Sequence, residues 1–505
     1  MARTEVREPA ATPGGSALDD GLPDPKPVAR RLSRGPLLET FTVALKTVTP
    51  ILGGSTAPRV VDQLDFIRGP SIRGHLRFWW RALYGHTSPT AHDLAERERS
   101  LWGGIGKDLG TRSSVELLVK VTPRAERPDI SPVGMKDKSA YALWTARAAS
   151  SKEKSGASSG QARSKETEPA QRWQPGLSFA LTVWAPRERI TEIKNTVRAW
   201  ILWGGYGGRT RRGLGGLTVE RESELWLPTE ASGGALRKLF SGVPLFSTEA
   251  SSPSRDVPQL QGARMLCGLT VSKDAADIWE TALDWLKEFR QGRPSKVDAK
   301  PSGAFAREYG DPNRPGRSWW PEPDNVRLLC GPPPFGAWAH VPRAQKSSRV
   351  AWPRAGFGLP IAFRFQQKNR KGQLYWALQP QRSEPDVVEL RWRERGERTA
   401  GELRESEEGE IRERLASPLI VKAMPLANGR FVPIALWLHR AWPQGEVVLV
   451  TPGRPATVVA DSAVTFDAPI PPEDAALYAP LQAGSLCDAF LGWLKQSSRP
   501  AKEIR

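Results

Sequence analysis

The sequence predicts an α+β fold, on three observations. Short segments with a two-residue apolar period alternate with segments whose apolar residues recur at helical spacing. Twenty Trp and 15 Phe can close folded cores even though apolar residues make up only 39% of the chain. At about 100 to 200 residues per domain, 505 residues imply two or three domains rather than one.

Residues 1–35 mix Pro, Gly and charge with little to bury and end in a basic cluster, which predicts a flexible basic tail. Folded sequence begins at Leu38, where Phe41, Val43 and Leu45 alternate with polar or small residues as in a strand buried on one face. A helix follows over 71–84, with Ser71 as the expected N-cap and Ile72, Leu76, Trp79 and Leu83 along one side. Val115, Leu117, Val119 and Val121 mark a second strand, and Leu177, Phe179, Leu181 and Val183 a third. The intervening 146–172 is rich in Ser, Gly, Lys and Glu and cannot offset its ordering entropy, so a disordered hairpin insertion is expected. Ile190, Ile193, Val197, Trp200 and Ile201 give a second helix, stopped by Gly204 and Gly205, and 217–220 gives a fourth short strand. The order βαββαβ over 36–222 is the ferredoxin-like plan: a four-stranded antiparallel sheet with both helices on one face.

From 223 to 498 a second α+β unit is expected. Ile278, Ala282, Trp285 and Phe289 define a helix over 274–290, and strands are expected at 263–271, 359–366, 374–379, 419–423 and 431–438. The segments 247–261 and 291–317 read as Pro-rich loops, and the charge-dense 391–414 as an exposed helix.

Lys plus Arg number 73 against 55 Asp plus Glu, for a net charge of +18 and a pI near 10.0. Such a balance points to a polyanionic partner, and the excess of Arg over Lys favours nucleic acid over a membrane surface. No run approaches the roughly 20 apolar residues of a membrane span. Cys267, Cys330 and Cys487 lie too far apart for a disulfide framework or a cysteine zinc site, so a reducing, cytoplasmic setting is expected. The five His form no metal-ligand spacing, and neither a metal nor a cofactor is expected.

Two stretches stand out chemically. On the first helix Arg73, Arg77 and Arg81 form one stripe with Trp80 along its edge, a pattern that can neutralise successive phosphates beside an aromatic ring. Solvated arginines, or arginines paired with another subunit, would give the same spacing. The second stretch runs from Gly204 to Gly216 and places Arg209, Arg211 and Arg212 among seven glycines, a loop suited to a phosphate chain. It has neither the GK[ST] of a Walker loop nor the strand-to-helix context of a dinucleotide fingerprint. Asp62 and Asp65 precede the Arg-rich helix and are candidates either for acid/base chemistry or for capping a turn.

These residues also carry a family resemblance. Thr49-Pro50-Ile51-Leu52-Gly53-Gly54, Ile67-Arg68 and Ser71 through Ala82 resemble the N-terminal signature of subunit one of the Cmr complexes, the type III-B CRISPR effectors. Glu98 with Leu101-Trp102-Gly103, then Ser113-Ser114-Val115, extend the match. The loop Gly204 to Gly216 is similar to the hallmark loop of the RAMP superfamily. The resemblance is strong over 38–220 and patchy beyond, at Gly358 to Ile361 and Ala416 to Leu419. It implies two ferredoxin-like RAMP modules in a non-catalytic RNA-binding subunit near the 3′ side of the guide RNA, which helps bind target RNA beside other Cmr subunits. On that reading Arg68, Arg73, Arg77 and Arg81 contact the RNA backbone, and Trp80 stacks on a base or buttresses the arginines. Gly205, Gly207, Gly208, Arg209, Arg211, Arg212, Gly213 and Gly215 cradle the strand. The alternative is a metal-independent RAMP endoribonuclease that processes guide precursor, with His75 or Asp62 assisting the attack of a 2′-hydroxyl.

Overall fold

The computed structural model describes residues 37–247, 256–291, 352–504 and scattered positions between 320 and 329, apart from internal stretches of which the longest are 131–139, 152–164, 377–387, 395–409 and 462–482. The expected tail, the centre of the insertion and the loop 292–317 lie outside the described residues. At the base of the insertion, Ala149–Ser151 pairs antiparallel with Lys165–Thr167.

The first half contains β1 (Leu38–Thr47), α1 (Gly69–Tyr84), α2 (Ala91–Trp102), β2 (Glu116–Val121), β3 (Ser178–Pro186), α3 (Ile190–Trp203) and β4 (Leu217–Val219). The sheet order is β4-β1-β3-β2, antiparallel throughout, with Val43 opposite Leu181 and Leu45 opposite Phe179. These four side chains are buried beneath α1 and α3, as the two-residue period requires.

Helix α1 starts at Gly69 with Arg68 as its N-cap and no side-chain cap, so Ser71 lies inside the first turn rather than at its edge. Pro70 accounts for the shift, because its fixed φ and missing N–H suit the first turn of a helix. Helix α2 was not expected. Its start is a capping box in which Thr90 accepts from the Asp93 N–H and the Asp93 side chain accepts from the Thr90 N–H.

The second half contains β5 (Gln259–Gly268), α4 (Ala275–Gln291), β6 (Ile361–Phe363), β7 (Val388–Glu394), β8 (Leu419–Pro425), β9 (Phe431–His439), β10 (Gly445–Val450), β11 (Thr457–Asp461), α5 (Leu486–Lys495) and β12 (Ala501–Ile504). A second antiparallel sheet has the order β8-β9-β5-β12. It runs past residue 498 to Ile504. Its chain order, β5 α4 β8 β9 α5 β12, has the same strand neighbours as the first sheet read from the opposite edge. A third sheet, β6-β7-β10-β11 with Ile411–Arg412 paired to β7, closes its own core around Trp352, Leu390, Trp392 and Val447. The expected helix over 391–414 is therefore a strand at its start. Val388, Leu390 and Trp392 face the core, and Arg393 is buried beside Glu446 at 2.9 Å.

The second sheet is covered on both faces. Helices α1 and α3 of the first half lie against β5 and β8, while α4 lies against β8 and β9 from the opposite side. Met265, Ile420 and Met424 thus belong to the core of the first half, and Leu266, Leu419 and Val421 to the core around α4 and α5. A strand buried on both faces loses its alternation, which is why all seven residues of β8 are buried and its sequence reads as an almost continuous apolar run. No helix among the described residues is long and apolar enough to cross a membrane.

Candidate nucleic-acid interface

The α1 stripe is pinned from the side by α2 and by the approach to β2. Arg77 Nε donates to Glu98 Oε1 at 2.6 Å and Arg81 Nη1 to the same oxygen at 2.5 Å. Arg73 donates to Ser113 Oγ at 2.6 Å and to the Val115 carbonyl at 3.0 Å. The family-like residues Glu98 and Ser113 to Val115 are therefore the partners that orient the stripe. The Arg77 and Arg81 side chains keep 37% and 31% exposure, while their shared carboxylate keeps 10%. Gly74, between Arg73 and His75, is exposed, and a Cβ there would meet nothing within 4 Å.

Trp80 has 1% exposure, so its ring has no free face for a base. Its indole N–H donates to Glu192, and Arg97 lies over its ring at 5.7 Å. Of the two roles expected for Trp80, stacking on a base does not fit a ring this buried. Arg68 is half-exposed, 3.7 Å from Asp65, and its backbone N–H donates to Tyr206 Oη at 2.8 Å. Asp62 accepts the backbone N–H groups of Leu64 and Asp65 at 3.0 and 2.9 Å, which holds its pKa below the ordinary carboxylate value. It caps a turn. His75 lies near the rings of Trp200 and Tyr206, where burial lowers its pKa and favours the neutral imidazole.

The glycine loop differs from its sequence expectation. Rather than presenting its N–H groups to an anion, it spends many of them on the chain itself: Tyr206 N–H on Gly215 O (2.9 Å), Gly208 N–H on Leu52 O (2.7 Å), Gly215 N–H on Pro50 O (2.8 Å) and Gly216 N–H on Thr49 Oγ1 (2.7 Å). Thr49 Oγ1 donates in turn to Gly213 O at 2.6 Å. The loop is thereby knotted to the Thr49–Leu52 segment. Two positions show why glycine is needed there: a Cβ on Gly215 (φ +62°) would lie 1.8 Å from Tyr206 O, and one on Gly213 (φ +77°) 2.5 Å from Trp279. Gly205 and Gly207 are similarly crowded, whereas Gly208 is exposed at the loop's edge.

The loop arginines are half-buried, not free. Arg209 (φ +59°) donates to Ala142 O at 2.6 Å, Arg211 donates to Ser417 O and lies over Phe78, and Arg212 lies over Tyr141 at 6.0 Å. Burial lowers the pKa of Arg211 and Arg212 to about 10, which leaves both charged at neutral pH. Trp279 of α4 donates to Arg212 O at 2.6 Å, and the buried Lys422 of β8 donates to Ile201 O and Gly204 O at 3.0 and 2.8 Å. Sequence reasoning missed Lys422. Its signal was a single charge inside the apolar run 419–425.

The glycine-rich loop thus joins a β4-β1-β3-β2 sheet to the second sheet. The sequence profile of the RAMP superfamily matches residues 44–218, from the middle of β1 into β4. This part of the chain is similar to the RAMP superfamily. Over 172 residues the chain is 28% identical to CRISPR system Cmr subunit Cmr1-1 of Pyrococcus furiosus, an alignment that covers 32% of this chain and 45% of that relative. The crystal structure of Cmr1 from Pyrococcus furiosus in its apo form overlays with a TM-score of 0.42 at 16% identity, covering 84% of this chain and 99% of that one. A chain of a type III-B Cmr-beta complex bound to cognate target RNA and AMPPnP overlays with a TM-score of 0.37 at 11% identity, covering 80% and 94%.

Proposed function

We propose that the chain is an RNA-binding, non-catalytic subunit of a type III-B CRISPR effector, built on two ferredoxin-like RAMP modules and assembled in the cytoplasm with other Cmr subunits. It would lie near the 3′ side of the guide RNA and help bind target RNA. The observation that carries this reading is the RAMP match over residues 44–218, with the Cmr1-1 similarity beside it. The module reading, with its division near residue 222, is supported by the shared strand order of the first two sheets.

The surface that fits RNA best is the exposed side of α1. Three guanidiniums line it, and Glu98 is the carboxylate bonded to two of them. A guanidinium carries five N–H donors, so a carboxylate that engages Nε or one Nη fixes its direction and leaves donors for a phosphate. Gly74 lets a strand approach the helix backbone between them. From Gly208 the surface continues to Gly53 and Gly54, where a Cβ would also meet open space. A non-catalytic role is supported by the bonds that tie the Asp62 carboxylate into a turn.

The test is guide-RNA binding by the purified chain across a salt series. With three phosphate contacts the slope of log affinity against log salt should be near −2, about −0.7 for each contact. Affinity that stays flat between about 50 and 200 mM salt would refute the reading, and metal-independent cleavage of repeat RNA would favour the endoribonuclease.

A further inference from the structure

A second basic cluster lies where the glycine loop meets the second half of the chain. Tyr141, on the short helix Ala140–Leu143, sits among Arg212 of the loop, Arg290 in the last turn of α4 and Arg354 of the turn Pro353–Phe357. Arg290 Nη1 lies 3.5 Å from Tyr141 Oη, and its guanidinium lies over Phe357 at 5.5 Å. Arg354 lies over Phe363 at 5.8 Å. Four segments far apart in sequence therefore deliver three guanidiniums to one phenol.

Among the described residues the charges there are not balanced. Among the described residues the carboxylate that acts on the cluster is Glu322, which is fully buried and accepts the backbone N–H of Arg354. Burial raises the Glu322 pKa to about 7, so it is only partly ionised at neutral pH. Among the described residues, the Nε atoms of Arg290 and Arg354 and Oε2 of Glu322 are buried with no hydrogen-bond partner. Cationic N–H groups in such a position call for an anionic acceptor.

We propose that Tyr141, Arg212, Arg290 and Arg354 form a pocket for a phosphate group. Guanidinium forks bind tetrahedral oxyanions in bidentate fashion, and a phenol can supply a further donor. A multiply charged anion fits three guanidiniums better than a single carboxylate does. The Phe289, Trp320 and Phe357 rings, with centroids 5.6 to 6.2 Å apart, provide apolar surface beside the cluster, which strengthens a charge-assisted bond. Tyr141 registers the positive field: burial alone would raise its pKa, yet Arg290, Arg212 and Arg354 together bring it below the ordinary value. The pocket stands on this geometry whether the phosphate comes from an RNA strand or from a free nucleotide, and its success or failure is separate from that of the α1 surface.

The test is calorimetric titration of the full-length chain with inorganic phosphate, at ionic strength matched with chloride. Saturable binding is expected, and R290Q and R354Q should each weaken it by about tenfold or more. Because R354Q removes the guanidinium charge beside the buried Glu322 and can unfold, R290Q and Y141F are measured beside it, with melting curves to establish that each is folded. R187Q, on an exposed ion pair with Glu39, should bind phosphate as the wild type does. Displacement of phosphate by a phosphorylated RNA strand assigns the strand as the source, and displacement by AMP alone assigns a nucleotide. No saturable binding, or binding unchanged in folded R290Q, overturns the pocket even if guide RNA still binds.

Discussion

Replacing Lys422 with Met should remove a pH dependence of stability that the wild-type chain carries above neutrality. Lys422 is fully buried, and its ammonium caps the carbonyls at the end of α3. Burial lowers its pKa from 10.5 to about 7. Between those values the unfolded chain binds more protons than the folded one, so stability rises with pH by up to about 1.4 kcal/mol per unit. Below pH 7 both states are protonated and the full penalty of the buried charge is present. That penalty is on the order of 4 to 5 kcal/mol as an upper bound, because the two carbonyl acceptors and the negative end of the α3 dipole favour the ammonium. Between pH 7 and 9 roughly 2 kcal/mol should be recovered. With an unfolding entropy of about 2.1 cal/mol/K per residue, that is a shift in Tm of about 2 °C for a chain of this length. The assay is thermal melting of wild type and K422M in half-unit steps from pH 6.5 to 9.5. Other titrating groups cancel in the difference, and the wild type should gain on the variant as pH rises. Parallel curves would refute the reasoning and show that the lysine is accommodated without a lowered pKa.

Gly74→Ala should stabilise the chain by about 0.5 to 1 kcal/mol, because α1 gains helix propensity at an open position, and should weaken RNA binding if the strand approaches the helix there. Improved melting with unchanged affinity would remove Gly74 from the RNA path. Glu98→Gln should cost about 1 to 2 kcal/mol in chemical denaturation, less than a fully buried pair because both guanidiniums are partly solvated. Gly215→Ala should cost more than about 3 kcal/mol and sharply reduce soluble yield, whereas Gly53→Ala, with positive φ but open space, should cost about 1 kcal/mol. Replacing Arg209, Arg211 and Arg212 together with Ala should lower the melting temperature clearly, since their bonds reach Ala142, Ser417 and the Tyr141 ring.

The first sheet was legible because each of its elements carries a local period: two residues in β1, β2 and β3, and 3.6 in α1 and α3. The arginine stripe was legible for the same reason, but its partners were not. Glu98 comes from a helix whose start depends on Thr90 and Asp93, a capping pattern easily overlooked beside Pro89. The glycine loop was recognisable as a loop, yet its role depended on Thr49, Trp279 and Lys422, which no local pattern connects to it. Strand β7 is hard to see in the sequence because its core residues Val388, Leu390 and Trp392 alternate with Glu389, Arg391 and Arg393 at the start of a charge-dense segment. The third sheet escaped because its strands are short and widely separated in sequence.

The second sheet's place between two pairs of helices has a practical consequence for anyone dissecting the chain. A fragment ending near residue 222 would bare the side of α1 and α3 that meets β5 and β8, and would strip the Ile201 and Gly204 carbonyls of their lysine. Such a fragment should be insoluble alone and should recover when the remaining residues are supplied in trans. Damage also travels the other way: a substitution in β8 perturbs the first half of the chain directly, through shared side chains rather than through a hinge. Loss of RNA binding on mutating the second half would therefore not, by itself, place a binding surface there.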